Sequence, residues 1–267
     1  MTGDFDNPAN PVAEKTAPWR RSHGAPALPF SLAAPSFVIP AGAAENARFL
    51  ADHYAEISLL LFESEACLAY TEADLPPDLA RLSVDWHVHL PLDLPWEHGI
   101  DAVCSVVSRL MDKTAFLRPW AWVLHPPAAP GLLPPLAGHL RRHGIDPADV
   151  LLENVAESDL CALWAEARAE GFSACLDLGH ILAYGQHAIL DLPGVWEATR
   201  MLHVCAPGPD GRHLPLTRLD ETGRTLLTRL CDRFKGRTVT LEVFDKTGLF
   251  ESTALLETWL APREAEK

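Results

Sequence analysis

Residues 174–180 read Ala-Cys-Leu-Asp-Leu-Gly-His: an apolar run closed by a carboxylate, with an imidazole three residues on. The same form recurs along the chain. Phe62 is followed by Glu63, Val88 by His89 and Leu124 by His125. Leu152 is followed by Glu153, Leu202 by His203 and Leu241 by Glu242. From Glu63 to Glu242 is 179 residues in six intervals, roughly 30 each, the length of one strand–helix unit. Eight short apolar runs read as strands, at 36–39, 57–62, 84–90, 120–124, 150–152, 174–178, 201–205 and 238–243. Helical spacing of apolar residues at three and four fills most gaps, as at 100–116, 132–143, 159–168, 216–234 and 253–260. Gly144 and Gly171 stand where helices should end.

Strands alternating with helices imply parallel pairing through crossover helices. Eight such units predict an α/β fold, a (β/α)8 TIM barrel, for which about 250 residues is usual. A doubly wound open sheet would place a glycine-rich phosphate loop after its first strand. Pro40-Ala41-Gly42-Ala43 is not one. Residues 1–34, rich in Pro and Ala, read as an N-terminal arm, and 35–267 as a single barrel domain.

The chain has 267 residues and a formal net charge of −14. That charge argues against duplex DNA as a partner, since a nucleic-acid footprint is basic. No apolar window reaches the length a membrane helix needs, and no secretory signal is visible. The six cysteines lie no closer than 14 residues apart, so there is no metal knuckle. They fit buried thiols in a reducing, cytoplasmic setting.

In a parallel barrel all C-terminal strand ends meet at one rim, where active sites are built. Several carboxylates brought together there repel unless cations compensate them. A mixed His, Asp and Glu set without Cys suits a catalytic divalent ion. The candidate metal ligands are therefore His89, His125, Glu153, Asp177, His180, His203, His213 and Glu242. His213 belongs to a loop that would fold back over the rim. Glu63, Glu153 and Glu242 are the candidate catalytic carboxylates, and Arg212 and Lys246 could meet an anionic substrate. His87, two residues before His89, faces the same side of its strand and should be a hydrogen-bonded core residue one layer down. The remaining histidines read as surface.

This pattern resembles the xylose isomerase-like barrels, which include sugar isomerases and epimerases and the endonuclease IV type of nuclease (AP endonuclease family 2). The resemblance covers about residues 36–260. It implies one or two ions held by Glu153, Asp177, His203 and Glu242. The nuclease-like branch adds His89, His125, His180 and His213, giving two or three ions. It departs at Gly211, where that branch carries an Asp, so the third ion lacks a ligand. Longer stretches resemble the cobamide-remodelling phosphodiesterases. They are Ser36-Phe37-Val38-Ile39-Pro40-Ala41, Glu56-Ile57-Ser58-Leu59-Leu60-Leu61-Phe62-Glu63-Ser64, His89-Leu90-Pro91-Leu92-Asp93 and Cys175-Leu176-Asp177-Leu178-Gly179-His180.

That likeness implies a hydrolase cutting the nucleotide-loop phosphodiester of a corrinoid. Glu153 would bridge two ions, most simply Zn²⁺ or Mn²⁺, with Fe²⁺ or Co²⁺ as alternatives, and Glu63 would orient the attacking water. The ions would neutralise a non-bridging oxygen, activate a water and stabilise the leaving oxygen. The rival readings are a metal-dependent sugar isomerase or epimerase, using Glu153 and Glu242 for proton transfer, and a metal-loaded protein that binds a corrinoid or sugar without turnover.

Overall fold

The computed structural model describes residues 28–261. The barrel strands are β1 (Ser31–Pro35), β2 (Glu56–Leu60), β3 (Asp85–His89), β4 (Trp122–Leu124), β5 (Val150–Glu153), β6 (Ser173–Asp177), β7 (Thr199–Val204) and, after a small hairpin, β10 (Thr238–Leu241). All pair in parallel and close in the order β1-β10-β7-β6-β5-β4-β3-β2. The hairpin strands β8 (Ala206–Pro207) and β9 (His213–Leu214) pair antiparallel beside the rim. The helices are α1 (Ala43–Ala51), α2 (Ser64–Leu68), α3 (Ile100–Thr114), α4 (Leu133–Arg142), α5 (Trp164–Glu170), α6 (Leu178–Tyr184), α7 (Val195–Ala198), α8 (Glu221–Arg233) and α9 (Lys246–Leu260). The expected (β/α)8 barrel is the observed one.

The first strand differs from the sequence reading. It is Ser31–Pro35, four residues before the N-terminal boundary of the expected domain, and not 36–39. Ala33 lies opposite Thr240 on one side and Glu56 on the other, so this strand closes the ring. Its alanines are fully buried but carry little strand signal of their own. The more apolar Phe37-Val38-Ile39 is instead a turn held by Asn46. The Asn46 amide oxygen accepts from the backbone N–H of Val38 at 2.7 Å and of Ile39 at 2.9 Å. Its amide nitrogen donates to the carbonyl of Ala41 at 3.0 Å. Residues 1–27 of the expected arm lie outside the described residues.

Helix starts follow side-chain caps. Asp220 accepts from Gly223 N–H at 2.8 Å and opens α8. Asp245 accepts from Gly248 N–H at 2.7 Å and opens α9 seven residues before the expected start. Gly248 sits one turn in, where a glycine masks the helical signal. At the other end, Gly171 caps α5 with φ 83°, the left-handed conformation expected there. The segment 159–163 is turn rather than helix, with Leu160 at φ 66°.

Two apolar layers hold the barrel. Strand outer faces pack on the helices, with Leu59, Val88, Leu152, Leu176 and Leu202 facing residues such as Leu110, Leu136 and Leu227. Inside the ring, Ala121, Val123, Leu151, Cys175 and Met201 form a second cluster. Side chains two residues apart share a strand face. The positions two beyond four of these five are His125, Glu153, Asp177 and His203. The inner core therefore aims the polar set at the C-terminal mouth. The six cysteines are free, five buried and Cys161 half-buried. No helix among the described residues is long and apolar enough to cross a membrane.

Candidate metal centre

Glu153, at the end of β5, is the hub. One oxygen, Oε2, lies 3.0 Å from His89 Nε2 and 3.3 Å from His125 Nε2. The other, Oε1, lies 3.0 Å from His203 Nδ1 and 3.9 Å from His180 Nδ1. His203 Nδ1 is also 3.1 Å from Glu242 Oε1, and Glu242 Oε2 is 3.2 Å from His213 Nδ1. The β8–β9 hairpin is what carries His213 back over the rim: Pro207 pairs with His213. Ligand atoms of Glu153, Asp177, His203 and Glu242 lie within 4.8 Å of one another, as do those of His89, Glu153 and His203. Two groups thus share Glu153 and His203.

The second contacts of these side chains favour a cation. His89 Nδ1 donates to the Leu90 carbonyl at 2.8 Å, and His180 Nδ1 donates to the Asn154 carbonyl at 2.7 Å. Each carbonyl fixes the tautomer and leaves Nε2 as the ligand atom. In His89 that lone pair points at a carboxylate oxygen, an arrangement that needs a proton or a metal ion between them. Asp177 is the N-cap of α6, and its Oδ1 accepts the His180 N–H at 2.5 Å. Its Oδ2 is buried and has no hydrogen-bond partner among the described residues. A buried carboxylate oxygen without a partner is costly, and a divalent ion would satisfy it. The donor set therefore fits a divalent metal.

Charge shapes the same set. Burial, together with the charges of Glu153 and Glu242, pushes the Asp177 carboxyl up, so a cation is what would hold it ionised. Burial also works against ionised Glu153, but His203, His125 and His89 outweigh it and hold the carboxyl well below its ordinary value. Glu242 is held down to about 2, burial being outweighed by His203 and His213.

Two supporting residues escaped the sequence reading. Asn154 Oδ1 accepts the Asp177 N–H at 2.8 Å, and its Nδ2 donates to the Asp177 carbonyl at 3.2 Å and to Gln186 Oε1 at 2.9 Å. Gln186 in turn donates to the Val155 carbonyl at 2.7 Å. Asn154 directly follows Glu153, so a polar pair after an apolar run was its only sequence signal. Gln186 had none. Asn154→Ala should leave the ligands present but loosely aimed. Metal affinity should fall about 10- to 100-fold, measured by chelator competition, with little change in circular dichroism.

The centre lies at the base of a cavity of about 550 Å³, lined by His89, His125, Glu153, His180, His213 and Glu242 and walled by Phe62, Leu92, Arg212 and Phe244 among others. Arg212 is thus brought to the cavity, where the sequence put it. Glu63 and Lys246 are not. Glu63 is an exposed residue at the N-cap of α2, three beyond the end of β2. Lys246 is exposed on the first turn of α9, and Asp245 reaches the cavity instead. Both corrections come from strand ends: β2 and β10 stop at Leu60 and Leu241, and the chain turns outward before these residues. His87 is buried as expected, with Nδ1 2.7 Å from Glu56 Oε1. His139, expected on the surface, is half-buried and 2.6 Å from Ser108 Oγ.

Among solved structures the chain is similar to a D-tagatose 3-epimerase-like protein, with TM-score 0.65 and 16% identity over 86% of this chain and 97% of that one. It is also similar to a D-allulose 3-epimerase from Methylomonas sp., with TM-score 0.64 and 11% identity over 86% and 98%. An AP endonuclease of family 2 from Brucella melitensis matches with TM-score 0.56 and 16% identity over 85% and 98%. What the chain shares with these structures is the fold, a closed (β/α)8 barrel. No protein-family profile matches the chain, and no curated protein matches it in sequence.

Proposed function

We propose that this protein is a divalent-metal-dependent phosphodiesterase that cleaves the nucleotide-loop phosphodiester of cobamides, in salvage and remodelling of these corrinoids. The observation that carries the reading is the second imidazole group. His89 and His125 converge on one oxygen of Glu153, beside the four-residue group of Glu153, Asp177, His203 and Glu242. Proton transfer next to a carbonyl by Glu153 and Glu242 beside one ion would not require His89 and His125. A second, His-rich site on a shared carboxylate fits attack on an anion. Bound there, divalent ions would neutralise the phosphate and lower the pKa of a water.

The chain's own residues have these roles. Glu153 is shared between the two sites. Asp177, His203 and Glu242 complete the first, and His89 and His125 the second. His180 and His213 hold the phosphate side of the centre. Arg212 pairs with the substrate anion, and Glu242, with His213, orients the attacking water. Water gives up one proton as its oxygen adds to phosphorus, the bond to the nucleoside oxygen breaks, and that oxygen takes up a proton, so that one water is consumed and no net charge is lost.

The test is incubation with adenosylcobalamin, with and without Mn²⁺, Zn²⁺ or Co²⁺ and with an EDTA control, followed by mass analysis of the corrinoid. The expected result is metal-dependent, EDTA-sensitive loss of the nucleoside, leaving cobinamide phosphate. Unchanged corrinoid with metal bound would overturn the reading. A second reading, sugar epimerisation or isomerisation, rests on the four-residue group and on the likeness to epimerases, one of them solved in complex with D-allulose. One ion per chain would favour it; two would favour phosphoester chemistry. The AP endonuclease likeness raises abasic DNA as a third substrate, which the net charge of −14 opposes.

A further inference from the structure

Among the described residues, the exposed large apolar side chains are Phe37, Leu92 and Tyr184, at 48%, 53% and 44% exposure. All three stand at the C-terminal rim. Phe37 follows β1, and Leu92 follows β3 and lines the cavity. Tyr184 ends α6, with its ring 5.7 Å from that of His180. Exposed apolar residues scattered singly need no explanation. Leu92 lines the cavity itself, and Phe37 and Tyr184 pack against Phe62 and His180, which do, so together they mark a binding surface.

The aromatic rings there form a continuous wall. Phe37 meets Phe62 edge-on at 5.0 Å, and Phe62 meets Phe244 at 6.4 Å. Phe244 stacks on the ligand candidate His213 at 5.2 Å with the planes 21° apart. The wall thus runs from solvent to the metal centre. Beside it the cavity is lined by Leu60, Leu61, Leu92 and Leu214. Outside the His and Glu of the centre, its charged lining among the described residues is Arg212 and Asp245, and Asp245 already caps α9. A free sugar presents a hydroxyl on nearly every carbon and needs a polar partner for each. Away from the metal centre, the described residues of this cavity offer Arg212, Asp245 and an apolar wall.

We propose that the Phe37–Phe62–Phe244 wall, with Leu92, binds a planar aromatic ring carried on a phosphate ester whose anion sits at Arg212 and the metal centre. The substrate class is a nucleobase- or aryl-bearing phosphoester. The proposal rests on the phosphodiesterase reading for the position of the anion. The ring itself is recognised by stacking, which tolerates any flat π face.

The test is equilibrium binding to the Mn²⁺-loaded protein, with no turnover required. The first pair of probes is AMP and ribose 5-phosphate, which share sugar and phosphate and differ by the base. AMP should bind about tenfold more tightly. Phe37→Ala, at an exposed position, and Phe62→Leu, which keeps an apolar side chain, should each shrink that ratio several-fold while leaving ribose 5-phosphate and metal binding unchanged. Equal affinities for the two probes, or a ratio that survives both substitutions, would overturn the proposal. The second pair is adenosine and ribose. A preference for adenosine with no gain from its phosphate would uphold the wall and remove the phosphodiesterase reading. Sedimentation gives the remaining outcome. A dimer that Phe37→Ala dissociates, with no difference between the probes, would assign the apolar rim to a second copy and overturn the proposal.

Discussion

Glu153→Ala should end stoichiometric metal binding and reduce metal-dependent turnover to background, while the far-ultraviolet circular dichroism remains that of a folded barrel. The size of the effect follows from its position. Glu153 lies within 4 Å of four imidazoles, of His89, His125, His180 and His203, and belongs to both groups of convergent ligand atoms. Removing Asp177 or Glu242 takes a ligand from one group; removing Glu153 takes one from both. The fold should survive because the strand beneath it is held elsewhere. Leu151 belongs to the inner core and Leu152 to the outer one. Metal analysis after gel filtration, beside the dichroism spectrum, is the measurement. Full activity in Glu153→Ala would refute the whole site assignment.

The largest expected effect on stability lies at the other end of the barrel, at Glu56. This fully buried carboxylate accepts from His87 Nδ1 at 2.7 Å, Trp120 Nε1 at 2.7 Å and Thr238 Oγ1 at 2.8 Å. It therefore joins β2, β3 and β10 and the residue stack that closes the N-terminal end. There the guanidinium groups of Arg200 and Arg237 lie 5.2 and 4.8 Å from the centre of the Trp120 ring. Glu56→Ala would strand the buried donors of His87 and Thr238 and the half-buried Trp120 N–H, and leave a cavity. A buried donor left without its acceptor costs about 1–3 kcal/mol, and two of them together correspond to a fall in melting temperature on the order of 10 °C for a chain of this size. Differential scanning calorimetry of the metal-free protein reads it, so that metal linkage does not intervene.

The same residue sets a pH dependence. Burial opposes ionised Glu56, but His87, Trp120 and Thr238 outweigh it and hold the carboxyl below its ordinary value. A depressed folded value means that ionised Glu56 stabilises the protein above the unfolded pKa, about 4.3. That contribution is lost as the pH falls through the lower folded value. Burial pushes the His87 imidazole down, against the pull of Glu56. The stability gap between the native chain and Glu56→Gln should hold at neutral pH and narrow below about pH 4. A gap that widened on acidification would contradict this account.

Six strand-end positions, His89, His125, Glu153, Asp177, His203 and Glu242, converge because strand alternation has a period of two and the barrel brings every C-terminal end to one rim. Both are local or generic rules, so a linear reading finds the set. Glu63 obeyed the same spacing and yet stands outside the cavity lining. Whether a residue is the last of a strand or three beyond it depends on where the ladder to the next strand stops, which is a matter of partners distant in sequence. Ser31–Pro35 was missed for the same reason. Two buried alanines make a strand only because Thr240 and Glu56 lie on either side to pair with.

The amino-acid sequence by itself determined the alternation of strand and helix, the inward face of each strand and the chemical type of the centre, because these follow from hydropathy period and residue identity. Only the tertiary structure decided which segment closes the ring and which carboxylates face the cavity. It also decided that Asn154 and Gln186 clamp Asp177, that Glu56 and His87 lock the base, and that Phe37, Phe62 and Phe244 make one wall. Each of these joins residues from separate strand–helix units. Their energies exist only once the barrel has closed and brought the partners within a few ångströms of one another.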